Sequence, residues 1–254
     1  MAITIKSERE IELMAEAGKI LERVHNELEK ALHPGMSTKD IDTLGEKIIR
    51  SYGCIPSFLN YNGYPASICV SVNQEVVHGI PDKHRIIHEG DIVSLDAGVI
   101  YKGYHSDAAR THAVGEVSEE AKKLIQVTKE CFFEGIKYAK AGNHLFDISG
   151  AIGRYAEERG YGVVRDLCGH GIGTALHEAP EIPNCEVGRK GVKLRPGMTL
   201  AIEPMINIGT YEVDWLDDDW TVVTRDGSLS AHYENTILIT EGEPRILSLT
   251  CDNE

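Results

Sequence analysis

The sequence predicts an α+β fold on three observations. Two pairs of stretches carry apolar residues at helical spacing. Other stretches alternate at strand spacing around turn residues. No regular strand–helix–strand alternation links them. The expectation is one domain over 1–254, built as two halves at about 7–115 and 116–246. With 254 residues, 42% of them hydrophobic, the chain has ample material for a core and is not a disordered one.

The helices come first in each half. Ser7-Glu8-Arg9-Glu10 has the form of a capping box, and Ile11, Met14, Ala17, Leu21, Val24, Leu28 and Leu32 continue as an apolar stripe. Pro34-Gly35 stops it. Ser37 to Asp40 offers a new cap, and Ile41, Leu44, Ile48 and Tyr52 run on to Gly53. A second unit runs from about Ser118 to Lys140, stops at Ala141-Gly142, restarts near Asn143 and ends at Gly160. A slide of 107 residues aligns Gly35 with Gly142, Asp40 with Asp147, Ile41 with Ile148 and Gly53 with Gly160. Each helical unit precedes a His-Gly-Ile triplet, at His78 and at His170, and then a strand-rich stretch with two acids. The reading is a duplicated plan; two unrelated helix pairs are the plainer alternative.

The strands read as antiparallel. Asp91 to Val99 alternates, Tyr101-Lys102-Gly103 is a turn signal, and Tyr104 to Val114 returns. Trp220 to Thr224, Asp226-Gly227 and Ser230 to Thr240 read as a second hairpin.

Charge and composition exclude several classes. The net charge of −14 argues against a chain whose main task is gripping a polyanion such as DNA. No apolar run approaches the ~20 residues of a membrane span. The N-terminus is charged by Lys6 and lacks a signal-peptide pattern, so a cytoplasmic protein is expected. The cysteines at 54, 69, 131, 168, 185 and 251 are scattered and read as reduced, small hydrophobes, not as a disulfide scaffold or a zinc ribbon.

Four acids stand where acids are costly. Asp96 lies in the apolar strand IVSLDAG, Asp107 in GYHSDAAR on the returning strand, Glu203 in MTLAIEPMI and Glu234 in AHYENTILI. Bare burial of a carboxylate costs several kcal/mol, so each needs a partner, and neither Glu has a Lys or Arg nearby in sequence. Asp96 and Asp107 share the midpoint 101.5, inside the turn, so direct cross-strand pairing is expected, with Cβ atoms ~4.5–5.5 Å apart. Like charges that close repel unless a cation lies between them. His170, flanked by glycines in CGHGIG, could join them; a lone histidine could equally be a core or surface residue. Four carboxylates and one imidazole suit two divalent ions sharing bridging oxygens, ~3.5–4 Å apart. So oxygen-rich a set favours Mn, Fe or Co over a thiolate-type zinc site.

The ordered motifs HGIP, SLDAGV, YHSDAAR, CGHGIG, ALHEAP, LRPGMTLAIEPM and YENTILI resemble those of type I methionine aminopeptidases in the short form without an N-terminal extension. The resemblance runs from about Lys6 to Ile246 and implies the pita-bread fold, two pseudo-symmetric α+β halves around a dinuclear metal site. It implies five ligands, Asp96, Asp107, His170, Glu203 and Glu234, with Asp107 and Glu234 bridging, Asp96 on one ion, and His170 with Glu203 on the other. Zinc is a further candidate ion. It implies that His78 contacts the scissile amide nitrogen and His177 the substrate carbonyl. Tyr61, Tyr64, Cys69, Leu176 and Trp220 look like the family's methionine socket, with Leu176 departing from the aromatic residue often found there. Asn73 and Ser230 match positions that help hold a monovalent cation in relatives, a weaker transfer.

The activity so implied is removal of the initiator methionine from nascent chains whose second residue is small, with Glu203 taking a proton from the attacking water. A prolidase or aminopeptidase P would be the nearest rival, although such relatives usually carry a further N-terminal domain. A non-catalytic module on the same fold would be expected to have lost ligands. The substrate partner is an N-terminal Met peptide, and a monomer is expected. A transient ribosome contact would fit the substrate's origin, and Arg189, Lys190, Lys193 and Arg195 form a small basic cluster that a solvated loop explains as well. The acids at 212, 214, 217, 218 and 219 should repel RNA.

Overall fold

A computed structural model describes residues 2–249. In the first half, α1 (Glu8–Ala31) and α2 (Thr38–Ser51) both start on capping boxes, at Ser7 with Glu10 and at Ser37 with Asp40. Strands β1 (Ile55–Pro56), β2 (Ile68–Val72), β3 (Glu75–Val77), β4 (Ile92–Tyr101) and β5 (Tyr104–Ala113) follow. In the second half come α3 (Glu119–Ile136) and α4 (Leu145–Glu157), then β6 (Gly162–Val163), β7 (Cys168–Gly171), β8 (Glu178–Pro183), β9 (Thr199–Ile202) and β10 (Met205–Asn207). The chain finishes with β11 (Val213–Trp215), β12 (Val222–Thr224), β13 (Ser230–His232), β14 (Glu234–Leu238) and β15 (Arg245–Ile246).

The helices match the sequence reading apart from differences of a few residues at their ends. α3 stops at Ile136 and not at Lys140, because tight turns at Tyr138 and Ala139 fold the buried Ala139 back into the core. α4 begins at Leu145, where the main-chain N–H of His144 donates to Asp147 at 2.8 Å, and it ends before Gly160. The 107-residue correspondence extends well past the helices. Gly35 and Gly142 have φ of 94° and 95° and donate to the carbonyls of Ile87 and Leu194. Ser37 bridges to Ile86 as His144 does to Lys193. The same offset carries β1 onto β6 and Asp96 onto Glu203.

One large antiparallel sheet runs β1-β4-β5-β14-β9-β7-β8, with β2 also on β4 and β15 on β14. The two halves join where β14 pairs with β5. Helices α1 and α2 bury the Leu21, Val24, Ile41 and Ile49 face against β2, β4 and β5, while α3 and α4 cover the second half through Leu124, Phe132, Ile148 and Ile152. Two three-stranded sheets, β13-β10-β6 and β11-β12-β3, complete the fold.

Two strand expectations are corrected. In the first hairpin Tyr101 pairs with Tyr104, so the turn is the two residues Lys102 and Gly103, at φ 48° and 86°. Both central residues at positive φ suit the twist of a tight hairpin. This moves the pairing by two: Asp96 faces Ala109 and Asp107 faces Gly98. The two acids share a face as diagonal neighbours and are not directly opposed. The second hairpin does not form. β12 pairs with β11 and β3, whereas β13 pairs with β10 and β14 enters the large sheet. The Asp226-Gly227 turn is present, but its flanking strands feed different sheets, a choice that alternation alone cannot encode.

Candidate active site

Five adjacent strands each bring one side chain to a common point. In sheet order they are Asp96 on β4, Asp107 on β5, Glu234 at the start of β14, Glu203 just after β9, and His170 on β7. The two acids at the seam between halves, Asp107 and Glu234, are flanked by Asp96 and Glu203. Asp96, Asp107, His170 and Glu234 are buried, and Glu203 is half-buried. Donor atoms of Asp107, His170 and Glu234 all lie within 4.8 Å of one another. His170 Nε2 is 3.6 Å from Glu203 Oε1 and 3.9 Å from Asp107 Oδ2.

The carboxylates lack the partners an ordinary buried acid needs. No Lys or Arg among the described residues forms an ion pair with any of the four. Asp96 Oδ1, Asp107 Oδ1 and Glu234 Oε1 are buried without a hydrogen-bond partner. Arg110 does approach, but it donates to the main-chain carbonyl of Glu234 and to Asn235 Oδ1, not to the carboxylate. Burial therefore pushes the Asp96 carboxyl up to about 7, opposed by a hydrogen bond with Asp107. Burial, with neighbouring carboxylates adding, holds Asp107, Glu203 and Glu234 well above the usual range. Oxygens buried without donors, beside an imidazole, are the signature expected of residues that hold divalent cations.

The histidine is prepared for the same role. The Nδ1–H of His170 donates to the Gly171 carbonyl at 2.8 Å, which leaves the Nε2 lone pair facing the acids. Burial, reinforced by His177, pulls its pKa down to about 3, so the ring is neutral. Glycine at 169 is required by closeness: a Cβ there would sit 2.4 Å from the Ala201 carbonyl on β9.

A cavity of about 150 Å³ opens beside these residues. Every socket residue expected from the sequence lines it: Tyr61, Tyr64, Cys69, Leu176 and Trp220, together with His78 and His177. Trp220 packs edge-on to Tyr64 at 5.1 Å and to His78 at 6.2 Å. Asp218 fixes the turn beneath it, accepting from the Trp220 and Thr221 N–H groups at 2.9 and 2.7 Å. His78 has φ +60°, a conformation costly for a side-chain-bearing residue and common at functional sites. Burial lowers its pKa to about 4. His177 lies over His170, ring centres 4.1 Å apart, and its Nδ1 is 2.8 Å from the Tyr61 hydroxyl.

Asn73 and Ser230 also meet, but through the main chain: the Ser230 N–H donates to the Asn73 carbonyl at 2.9 Å, and Ser230 Oγ donates to the Ile206 carbonyl. Sequence reasoning passed over Phe58 and Asn62, which line the cavity. The cluster Asn60-Tyr61-Asn62-Gly63 was a signal for the loop, with Asn60, Asn62 and Gly63 all at positive φ. His232 was passed over as well. It stands 3.8 Å from both Glu203 and Glu234, and nothing in its sequence neighbourhood marks it. The described cysteines are free, and Cys251 lies outside the described residues.

Residues 12–241 match the model of metallopeptidase family M24. The chain is 58% identical over 247 residues to a methionine aminopeptidase from Clostridium acetobutylicum, covering 97% of this chain and 99% of the relative. It is 50% identical to methionine aminopeptidase 1 of Bacillus subtilis, covering 94% and 96%. The crystal structure of a methionine aminopeptidase from Thermotoga maritima superposes with a TM-score of 0.96 at 46% identity, covering 98% and 100%. A Xaa-Pro dipeptidase from Bacillus anthracis shares the fold more distantly, with a TM-score of 0.78 at 27% identity; the match covers 97% of this chain and 62% of that one. The architecture is the pita-bread fold. With a full-length match, and acids gathered from both halves onto one face, the chain belongs to metallopeptidase family M24.

Proposed function

We propose that the chain is a methionine aminopeptidase that removes the first methionine from new polypeptides with a small second residue. The observation that carries this is a single cavity with two walls. One wall is the set of unpartnered carboxylates with His170; the other is the apolar set Tyr64, Cys69, Leu176 and Trp220, suited to a thioether side chain. The two halves of the domain, about 7–115 and 116–246, each give acids to the first wall.

Asp96, Asp107, His170, Glu203 and Glu234 would hold two divalent ions, Mn, Fe or Co on the oxygen-rich donor set, with the seam residues Asp107 and Glu234 placed to be shared. Such ions supply Lewis acidity and make water acidic enough to react near neutral pH. Glu203, which lines the cavity, takes the proton of the attacking water and can return it to the leaving amine. When the Tyr61 hydroxyl donates to His177 Nδ1, the His177 proton sits on Nε2, a donor for the oxygen that gains charge in the transition state. His78, held by Trp220, orients the leaving amide. A cytoplasmic enzyme acting on emerging chains, with the ribosome a transient neighbour, completes this reading.

The test is a peptide assay with added Mn, Fe or Co. Cleavage of Met-Ala-Ser with release of methionine is expected, with no turnover of a Xaa-Pro peptide. Preference for the Xaa-Pro substrate would move the chain to the prolidase branch, and no turnover of either would sink the reading.

A further inference from the structure

His232 closes β13, two residues before Glu234, and its ring is 2% exposed. A buried histidine ordinarily satisfies at least one ring nitrogen. His25 does so nearby, with Nε2 2.8 Å from the Ala108 carbonyl. Neither nitrogen of His232 has a hydrogen-bond partner. Its Nε2 faces two carboxylates at once, 3.8 Å from Glu203 Oε2 and 3.8 Å from Glu234 Oε2. That is beyond the ~2.7–3.2 Å of an N–H···O hydrogen bond. Donors that each lie ~2.0–2.2 Å from one ion stand ~3–4.4 Å apart, depending on the angle between them.

The spacing repeats that of His170. The Glu203 carboxylate sits between two imidazoles, with Oε1 3.6 Å from His170 Nε2 and Oε2 3.8 Å from His232 Nε2. The donor atoms of Glu203, His232 and Glu234 lie within 4.8 Å of one another, as do those of Asp107, His170 and Glu234. His232 also lines a second cavity of about 340 Å³, with Arg110 and His112.

We propose that His232 is a sixth protein ligand of the metal centre, its Nε2 sharing an ion with Glu203 and Glu234. This rests on the metal-centre reading above and adds a second imidazole to it. A second nitrogen in a carboxylate site tilts preference from manganese towards cobalt, iron or zinc, which bind imidazole more strongly.

The test uses the full chain. Crystals of the wild-type protein grown with zinc, and separately with Mn(II), are measured for anomalous scattering. An ion within ~2.0–2.3 Å of His232 Nε2 is expected in the zinc form. Calorimetric titration of His232→Gln should show zinc affinity reduced at least ~10-fold, with manganese affinity reduced less. Ions among the carboxylates but outside bonding reach of His232 would overturn the sixth ligand and leave the metal centre standing. An unchanged zinc-to-manganese ratio in a folded His232→Gln protein would overturn it too. Absence of any ion at the five carboxylate and imidazole donors would overturn the metal-centre reading itself, and this inference with it.

Discussion

Asp107 and Glu234 sit at the middle of the five donors, on the two strands that join the halves. Each offers one buried oxygen without a partner, so neither can be replaced by a neighbour. Glu234→Ala is expected to lose both bound metal and turnover, read by elemental analysis and by the Met-Ala-Ser assay. Full activity in a metal-free Glu234→Ala protein would exclude the mechanism. His78 makes a different prediction because it lines the cavity without belonging to the acidic cluster. His78→Ala should keep its metals and lower kcat by ~10²-fold or more, the usual contribution of a positioned proton donor. Unchanged kcat would remove His78 from the reaction. The same carboxyls predict how uptake depends on pH. Burial holds Asp96 at about 7 and the other three well up, so these groups carry protons that an ion must displace. Metal affinity should fall as pH drops from about 8 to about 6, with more protons released per ion, measured by calorimetry in two buffers of different ionisation heat.

Among the elements, β7 has little room for change. It runs between β9 and β8 and carries His170 between two glycines. A Cβ at Gly169 would meet the Ala201 carbonyl at 2.4 Å, and one at Gly171 the Ala179 carbonyl at 2.2 Å. Both obstacles are main chain and cannot rotate away. Gly169→Ala should push β7 off β9, cost ~1–3 kcal/mol, and weaken metal binding by displacing His170. The checks are a lowered midpoint in thermal unfolding and a metal titration. A fully stable Gly169→Ala protein with normal affinity would show that the strand tolerates more space than this geometry permits. The first hairpin teaches a related lesson. The hairpin is centred one residue later than expected, between Lys102 and Gly103, which shifts the pairing by two and so keeps Asp96 and Asp107 on the same face. A shift of one would have sent Asp107 to the opposite side.

For the whole molecule, the cluster of unpartnered acids opposes folding when it is deprotonated and no cation is bound. Their folded pKa values lie above the ordinary carboxyl range of ~4. Such groups add stability while protonated and lose it as pH rises from about 4 through the folded value, about 7 for Asp96. Buried histidines act with the opposite sign in the same window: burial lowers His25 well below 6.5, so its contribution is lost as pH falls. The difference between metal-loaded and metal-stripped protein isolates the first effect. The gap in unfolding temperature should widen from about pH 5.5 to about pH 8, since ions bind the deprotonated acids. A gap that narrows with rising pH would mean that these acids do not titrate with metal binding.

What the sequence determined by itself was local or ordered. The caps at Ser7 and Ser37, the stop at Gly35 and its counterpart at Gly142, and Asp96, Glu203 and Glu234 in apolar stretches are legible because each depends on neighbours within a few positions. The ligand and socket residues were legible through motif order, and the structure brings them all to one cavity. Pairing between distant segments emerged only in the folded chain. That β12 and β13 part into different sheets, that Asp96 and Asp107 are diagonal, and that His232 comes to lie against Glu203 all follow from strand register across the chain. Alternation fixes which face a residue takes, but the partner on that face is chosen by packing between segments far apart in sequence. No local pattern around His232 could have announced an acid 29 residues upstream.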